Sequence, residues 1–270
     1  MFRNTGLTQG VRSFHSPDWM EQITYKCVGA VELKLHLFRP TATAAGLRSA
    51  IVFFFGGGWT TGSPGTFYPH CRHLAELGMV AVAAEYRVRD RHGTSAFECV
   101  ADGKSAVRWL RAHAAEFGID PHRIAAGGGS AGGHVAACAE TITGGEDETG
   151  LVSSQPDALV LFNPAVDATL AMFADRFAGR ATEISPVHHV RPGQSPTIIF
   201  HGTADNIVPL ENVERFTRLM TAAGNRCELV PFPGKEHGFY HYGDGTGSES
   251  YHATIAATDR FLTELGFLPV

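Results

Sequence analysis

Short, continuous apolar runs constrain this chain more than any other feature: AIVFFF at 50–55, MVAVAA at 79–84, RIAAG at 123–127, ALVLF at 158–162 and PTIIF at 196–200. A strand wetted on one side alternates apolar and polar residues, whereas a strand covered on both sides reads as an unbroken apolar run. These runs are too short for buried helices and carry the Val, Ile and Phe of strands. Helix-like segments separate them. In SAFECVADGKSAVRWLRAHAAEFG, residues 95–118, Phe97, Val100, Val107, Leu110 and Ala114 share one face. Ser95 with Glu98 makes a capping-box pattern, and Gly118 supplies a stop. Weaker helical patterns cover 67–77, 130–140, 210–223 and 251–265. Alternating strand and helix predicts an α/β fold with a doubly wound, mostly parallel sheet. Upstream, Val31, Leu33, Leu35 and Leu37 alternate with Glu32, Lys34 and His36, and 23–28 precede a Gly-Ala turn, which predicts an antiparallel N-terminal edge.

No repeat, low-complexity linker or compositional break divides the 270 residues, so one domain over 1–270 is expected, with 1–22 as an N-terminal extension. The segment 163–196 is the longest without a clear strand and is short for a separate cap. A net charge of −5 with no basic stripe argues against a nucleic-acid partner. Five scattered cysteines with no CxxC pair read as small buried hydrophobes. The first twenty residues hold no apolar stretch able to enter a bilayer, so a soluble protein with no membrane partner is expected. It would be cytoplasmic or, had a signal peptide been removed, periplasmic or secreted.

The chemistry concentrates in GGGSAGG, 127–133, where an apolar run gives way to a helical pattern. Gly128-Gly129-Ser130-Ala131-Gly132 matches G-x-S-x-G, a strand-to-helix turn that presents a serine hydroxyl above the sheet and close to a helix N-terminus. A phosphate-binding loop is the competing reading, since Gly127-x-Gly129-x-x-Gly132 fits a dinucleotide pattern; it falls midway along the chain and lacks the Walker lysine. A nucleophilic serine needs a base and an acid to orient it, in the order Ser, Asp or Glu, His on this kind of sheet. Asp205 in HGTADNIVP and His237 in PFPGKEHGF follow apolar runs in that order. Gly56-Gly57-Gly58-Trp59 ends an earlier run as a counterpart of the HGGG loop that supplies oxyanion donors.

With FGGGW, GGGSAGG, HGTAD and EHGF together, the chain resembles the α/β-hydrolase serine esterases of the hormone-sensitive-lipase-like and acetyl-esterase group. It is most similar to their small carbohydrate-acting, acetyl-xylan or feruloyl esterase-like branch, from about Tyr25 onward. The resemblance implies an α/β-hydrolase fold with little or no cap. It implies Ser130 as nucleophile, His237 as base, Asp205 as orienting acid and the N–H groups of Gly57, Gly58 and Ala131 as oxyanion donors. Two positions depart from it: Phe55 stands for the histidine of HGGG, and Gly129 for the acid of GDSAGG.

Asp167 competes with Asp205 as the acid, while Glu236 adjoins His237 too closely in sequence to orient it. The fourteen histidines include no HExxH or similar metal set, so neither metal nor cofactor is expected. Asp102, Arg108 and Arg111 are expected near the solvated face of their helix; Tyr86 and Arg87 end a strand, with packing or substrate contact both open. Trp59, Phe239, Tyr240 and Tyr242 are the candidate substrate-binding residues, able to stack on a sugar or aromatic ring or simply to anchor their loops. The expected function is hydrolysis of short-acyl esters, acetate foremost, on small molecules or acetylated or feruloylated carbohydrate. A serine peptidase or other acyl hydrolase, and a ligand-binding relative without chemistry, are the alternatives.

Overall fold

The apolar runs form the middle of an eight-stranded sheet. The structure, a computed structural model, describes residues 20–40, 46–144, 152–243 and 247–269. The strands are β1 (Glu21–Val28), β2 (Val31–Phe38), β3 (Arg48–Phe54), β4 (Val80–Ala84), β5 (Ile119–Gly129), β6 (Ala158–Phe162), β7 (Thr197–Gly202) and β8 (Cys227–Phe232). Their order is β1-β2-β4-β3-β5-β6-β7-β8. The hairpin β1–β2 and the pair β2–β4 are antiparallel, and all other neighbours are parallel. This is the α/β-hydrolase arrangement with an antiparallel N-terminal edge. The expected extension, 1–22, falls mostly outside the described residues.

The helices are α1 (Tyr68–Glu76), α2 (Arg89–His92), α3 (Ala96–Ala112), α4 (Ala131–Thr141), α5 (Leu210–Ala222) and α6 (Gly247–Glu264). Alternation along each central strand divides the apolar side chains between two cores. Val52 and Phe54 join the core under α3, α4 and α5, while Ile51 and Phe53 join the one under α1 and α6. This two-sided burial is why the central strands read as unbroken apolar runs.

Helix α3 has its capping box: Ser95 Oγ accepts from the Phe97 N–H, and Glu98 accepts from the Ser95 N–H at 2.8 Å. It ends at Ala112, earlier than the periodicity implies, and a 3-10 turn over Ala114–Phe117 leads to Gly118 at φ 65°. Asp102 is not on a solvated face. It is fully buried and accepts from Arg87 Nε and Nη2 at 2.8 Å, with Lys26 at 3.1 Å. Arg111 pairs with Asp157, and Arg108 donates to the Val152 carbonyl.

Between β6 and β7 the described chain carries 3-10 turns at Ala171–Arg176, Ala181–Ile184 and Pro186–His188 in place of a helical cap. Among the described residues no helix is long and apolar enough to cross a membrane.

Candidate active site

The turn from β5 into α4 is built from close backbone approach. A Cβ on Gly132 would lie 2.1 Å from the Phe54 carbonyl oxygen, and one on Gly128 would lie 2.6 Å from it. Neither position admits a side chain. Ser130 between them has φ 54° and ψ −119°, a strained conformation for a non-glycine residue costing roughly 1–3 kcal/mol. It is held there because its N–H donates to the Phe162 carbonyl at 2.9 Å and its carbonyl accepts from the His134 N–H at 3.0 Å. Gly127 lies within β5, where a Cβ would strike Phe53 and the Val160 carbonyl. The GxGxxG match therefore reflects strand packing, with no phosphate-cradling loop.

Gly129 has its own reason to be glycine. A Cβ there would sit 1.8 Å from Tyr240 Oη. The tyrosine, 1% exposed and stacked on Phe162, occupies the room that an acidic side chain would need. Gly129→Ala is expected to cost about 3 kcal/mol by overpacking, with part recovered in a Gly129→Ala/Tyr240→Leu double variant because the cavity and the intruding methyl offset each other. Denaturant midpoints of the four proteins check this; purely additive losses would contradict it.

Asp205 and His237 stand on the loops after β7 and β8. Asp205 Oδ1 accepts from the Ile207 and Val208 N–H groups, both at 2.9 Å, and Oδ2 accepts from His237 Nδ1 at 2.7 Å. Burial alone would raise this carboxyl, but the His237 bond and the backbone donors outweigh it and hold the group below the usual carboxylate range. Because Nδ1 donates, Nε2 of the neutral ring keeps its lone pair, as a general base requires.

That lone pair meets the Asn163 amide, whose Nδ2 lies 3.4 Å away. The amide orientation follows from its other end, since Asn163 Oδ1 accepts from the Gly238 N–H at 3.2 Å. Asn163 is fully buried at φ 35° on the last turn out of β6. Asn163, rather than Ser130, is the hydrogen-bond partner of His237 Nε2 among the described residues.

The third component is the loop after β3. Gly57 has φ 129°, and a Cβ on it would lie 2.3 Å from the Thr61 carbonyl oxygen; Gly58 has φ 59°. No protein acceptor takes either N–H among the described residues. The Ala131 N–H, first in α4, is one of the helix-terminal donors without an intrahelical partner. Phe55, in place of a histidine, anchors the loop by packing: its ring stacks on Tyr86 at 4.1 Å, and its carbonyl accepts from Tyr86 Oη at 2.6 Å. Tyr86 is thereby a buried support. Ser130, His237, Gly57 and Gly58 all line one cleft of about 510 Å³, walled on one side by Met172 and Phe173.

This arrangement has close counterparts. The BD-FAE family model matches residues 35–173, and the Dienelactone hydrolase family model matches 158–267. The probable carboxylic ester hydrolase LipM of Mycobacterium tuberculosis is 30% identical over 250 residues, which cover 84% of this chain and 57% of LipM. The propionate-bound esterase Est2 of Thermogutta terrifontis superposes with a TM-score of 0.88 at 47% identity, covering 94% of this chain and 97% of that one. The same esterase phosphorylated by paraoxon gives 0.89 at 47% identity, with coverage of 97% and 100%. The chain belongs to the α/β-hydrolase carboxylesterases.

In this esterase Asp167 is engaged away from His237, accepting from Arg215 and Thr169. Of the four aromatic residues expected at the substrate, Trp59 and Tyr240 line the cleft. Phe239 and Tyr242 do not. Phe239 is buried against Phe232, and Tyr242, 60% exposed, packs on Tyr251 in a separate groove with Tyr68. The loop after His237 turns at Gly238, φ 82°, and sends these side chains away from the serine. Residues that pattern reading missed are Asn163 and His134, the latter a fully buried partner of Trp59. An asparagine one residue beyond a strand looks like an ordinary turn, and its positive φ was the signal available only in three dimensions.

Proposed function

We propose that this esterase hydrolyses short-acyl carboxylic esters, acetyl esters foremost, through a covalent acyl-enzyme. The observation that carries the reading is the 2.7 Å bond from His237 Nδ1 to Asp205, which leaves Nε2 basic in the cleft that Ser130 also lines. His237 takes the Ser130 proton as Oγ attacks the ester carbonyl. The N–H groups of Gly57, Gly58 and Ala131 receive the developing oxyanion at the positive end of α4. The C–O bond then breaks, the alcohol leaves with the proton from His237, and water attacks the acyl-Ser130 ester by the same steps to release the acid. Asp205 keeps the ring in its Nδ1–H form throughout.

The walls of the cleft support a short acyl group. The cleft is bounded by Met172, Phe173 and Ile207, and the β6–β7 insertion adds only 3-10 turns where a cap would enclose a chain. A deep acyl tunnel would gain about 0.8 kcal/mol for each methylene buried. On p-nitrophenyl esters kcat/KM is therefore expected to peak at two to four acyl carbons and to fall about tenfold or more by eight; a steady rise with length would refute the preference. Paraoxon, which phosphorylates the Thermogutta esterase, is expected to add one diethylphosphoryl group per chain and abolish turnover. Acetate release from acetylated xylan tests the carbohydrate substrate, which rests on the resemblance in FGGGW and GGGSAGG.

A further inference from the structure

The loop that holds Gly57 and Gly58 ends in a residue that should resist its own conformation. Trp59 has φ 61°, and a bulky side chain there costs roughly 1–3 kcal/mol unless the surroundings over-determine it. Its backbone is tied at one point, the carbonyl accepting from the Arg89 N–H at 3.1 Å. The residue is 4% exposed, with Phe173, Phe177 and His134 edge-on to its ring at 5.0–5.6 Å. The one polar contact of the side chain is the indole N–H, which donates to His134 Nδ1 at 3.1 Å.

His134 is fully buried on α4, one turn past Ser130. Its two ring partners admit one protonation state. An indole N–H only donates, so Nδ1 is the lone pair; the Ile184 carbonyl, 2.7 Å from Nε2, only accepts, so Nε2 carries the proton. Cys138 Sγ, 3.4 Å from Nε2, is the other titratable neighbour, and burial raises its thiol far above the ordinary value. A single ring thus joins the nucleophile's helix, the oxyanion loop and the β6–β7 insertion.

We propose that His134 is a positioning residue for the oxyanion loop: as the Nε2–H imidazole it captures the Trp59 indole and so keeps Gly57 and Gly58 in their positive-φ conformations. The inference rests on the reading that Gly57 and Gly58 serve the oxyanion. Such donors act mainly in the transition state, so their misplacement lowers kcat and leaves KM nearly unchanged.

The test compares Trp59→Phe, His134→Leu, His134→Gln and the Trp59→Phe/His134→Leu double variant on p-nitrophenyl acetate, with Ser130→Ala as control. Trp59→Phe keeps an aromatic ring and deletes the donor, so it tests the bond even where His134→Leu fails to fold. It is expected to lower kcat about tenfold or more with KM within about threefold. His134→Gln, whose amide offers one acceptor and one donor, is expected to retain kcat within about threefold of the parent. The double variant is expected to lose no more than the worse single, because both remove one interaction. A Trp59→Phe enzyme within twofold of parent kcat, or losses that multiply in the double variant, would overturn the positioning role. An active Ser130→Ala enzyme would instead overturn the underlying esterase mechanism, so the two failures are separable.

Discussion

Replacing Ser130 with alanine is expected to lower kcat on p-nitrophenyl acetate by about 10⁴- to 10⁶-fold while leaving the fold intact. The size follows from the absence of another nucleophile in position: with Oγ gone, His237 can activate only water, and what remains is binding and oxyanion stabilisation. Asp205→Asn should fall by about 10⁴ at most, since a misoriented ring still samples the productive tautomer. The strain at the elbow adds a second readout. At φ 54° glycine is relaxed where serine is not, so Ser130→Gly should be as inactive as Ser130→Ala and also more stable than the parent, by about 1 kcal/mol. Single-turnover kinetics and urea midpoints on the three proteins measure both effects. A Ser130→Ala enzyme within tenfold of parent activity would remove Ser130 from the mechanism; a Ser130→Gly variant less stable than the parent would remove the strain.

Acid is expected to destabilise this fold through its buried histidines before Asp205 and Asp167 are protonated. His70 sits among Phe53, Phe67, Phe162, Tyr240 and Tyr251 with neither ring nitrogen hydrogen-bonded. Burial, aided by the charges of His241 and His73, lowers it to about 3. Burial lowers His134 to about 4 against the pull of the Ile184 carbonyl. Both are neutral in the folded protein and charged in the unfolded chain below its ordinary value near 6.5, so the unfolded state binds more protons and stability falls as pH falls. Each group contributes fully above pH 6.5 and removes about 1.4 kcal/mol per pH unit below it, until about pH 4 for His134 and about pH 3 for His70. Over two pH units the pair removes about 5 kcal/mol; buried His201, also lowered, adds to the loss, whereas buried Glu140, raised to about 7, opposes it because the folded chain takes up that proton first. Asp205 and Asp167, held below the usual carboxylate range, add their losses only at still lower pH. Urea midpoints between pH 6.5 and 4 in the parent and in His70→Leu should differ in slope, the variant losing about 1.4 kcal/mol less per pH unit while also shedding an unsatisfied buried donor. An unchanged slope in that variant would refute the assignment.

What the chain disclosed in one dimension follows from which properties are local. Two-sided burial is written into each run, so AIVFFF and ALVLF announced central strands, and Ser95 with Glu98 announced the start of α3. The spacing of Ser130, Asp205 and His237 was legible because chemistry demands those residue types at strand ends. Strand order was not, since the crossover that sets β4 outside β3 leaves no mark in either strand. Side-chain direction was also hidden. Phe239, Tyr240 and Tyr242 lie within four residues, yet only Tyr240 reaches the cleft, because Gly238 decides where the loop points. Asp102 reads as a surface residue in the sequence because helical periodicity cannot reveal that Arg87 and Lys26 come from other elements to meet it.

The hydroxyl lodged beside Gly129 also acts as a ruler. Tyr240 follows His237 by three residues, so the loop bearing His237 is measured against the turn bearing Ser130 by a rigid ring whose hydroxyl leaves no room for a methyl group on Gly129. One inserted residue adds as much as 3.3–3.8 Å of chain, far beyond the roughly 0.5 Å to which reacting groups must be held. The interval from His237 to Tyr240 is therefore closed to insertions and deletions.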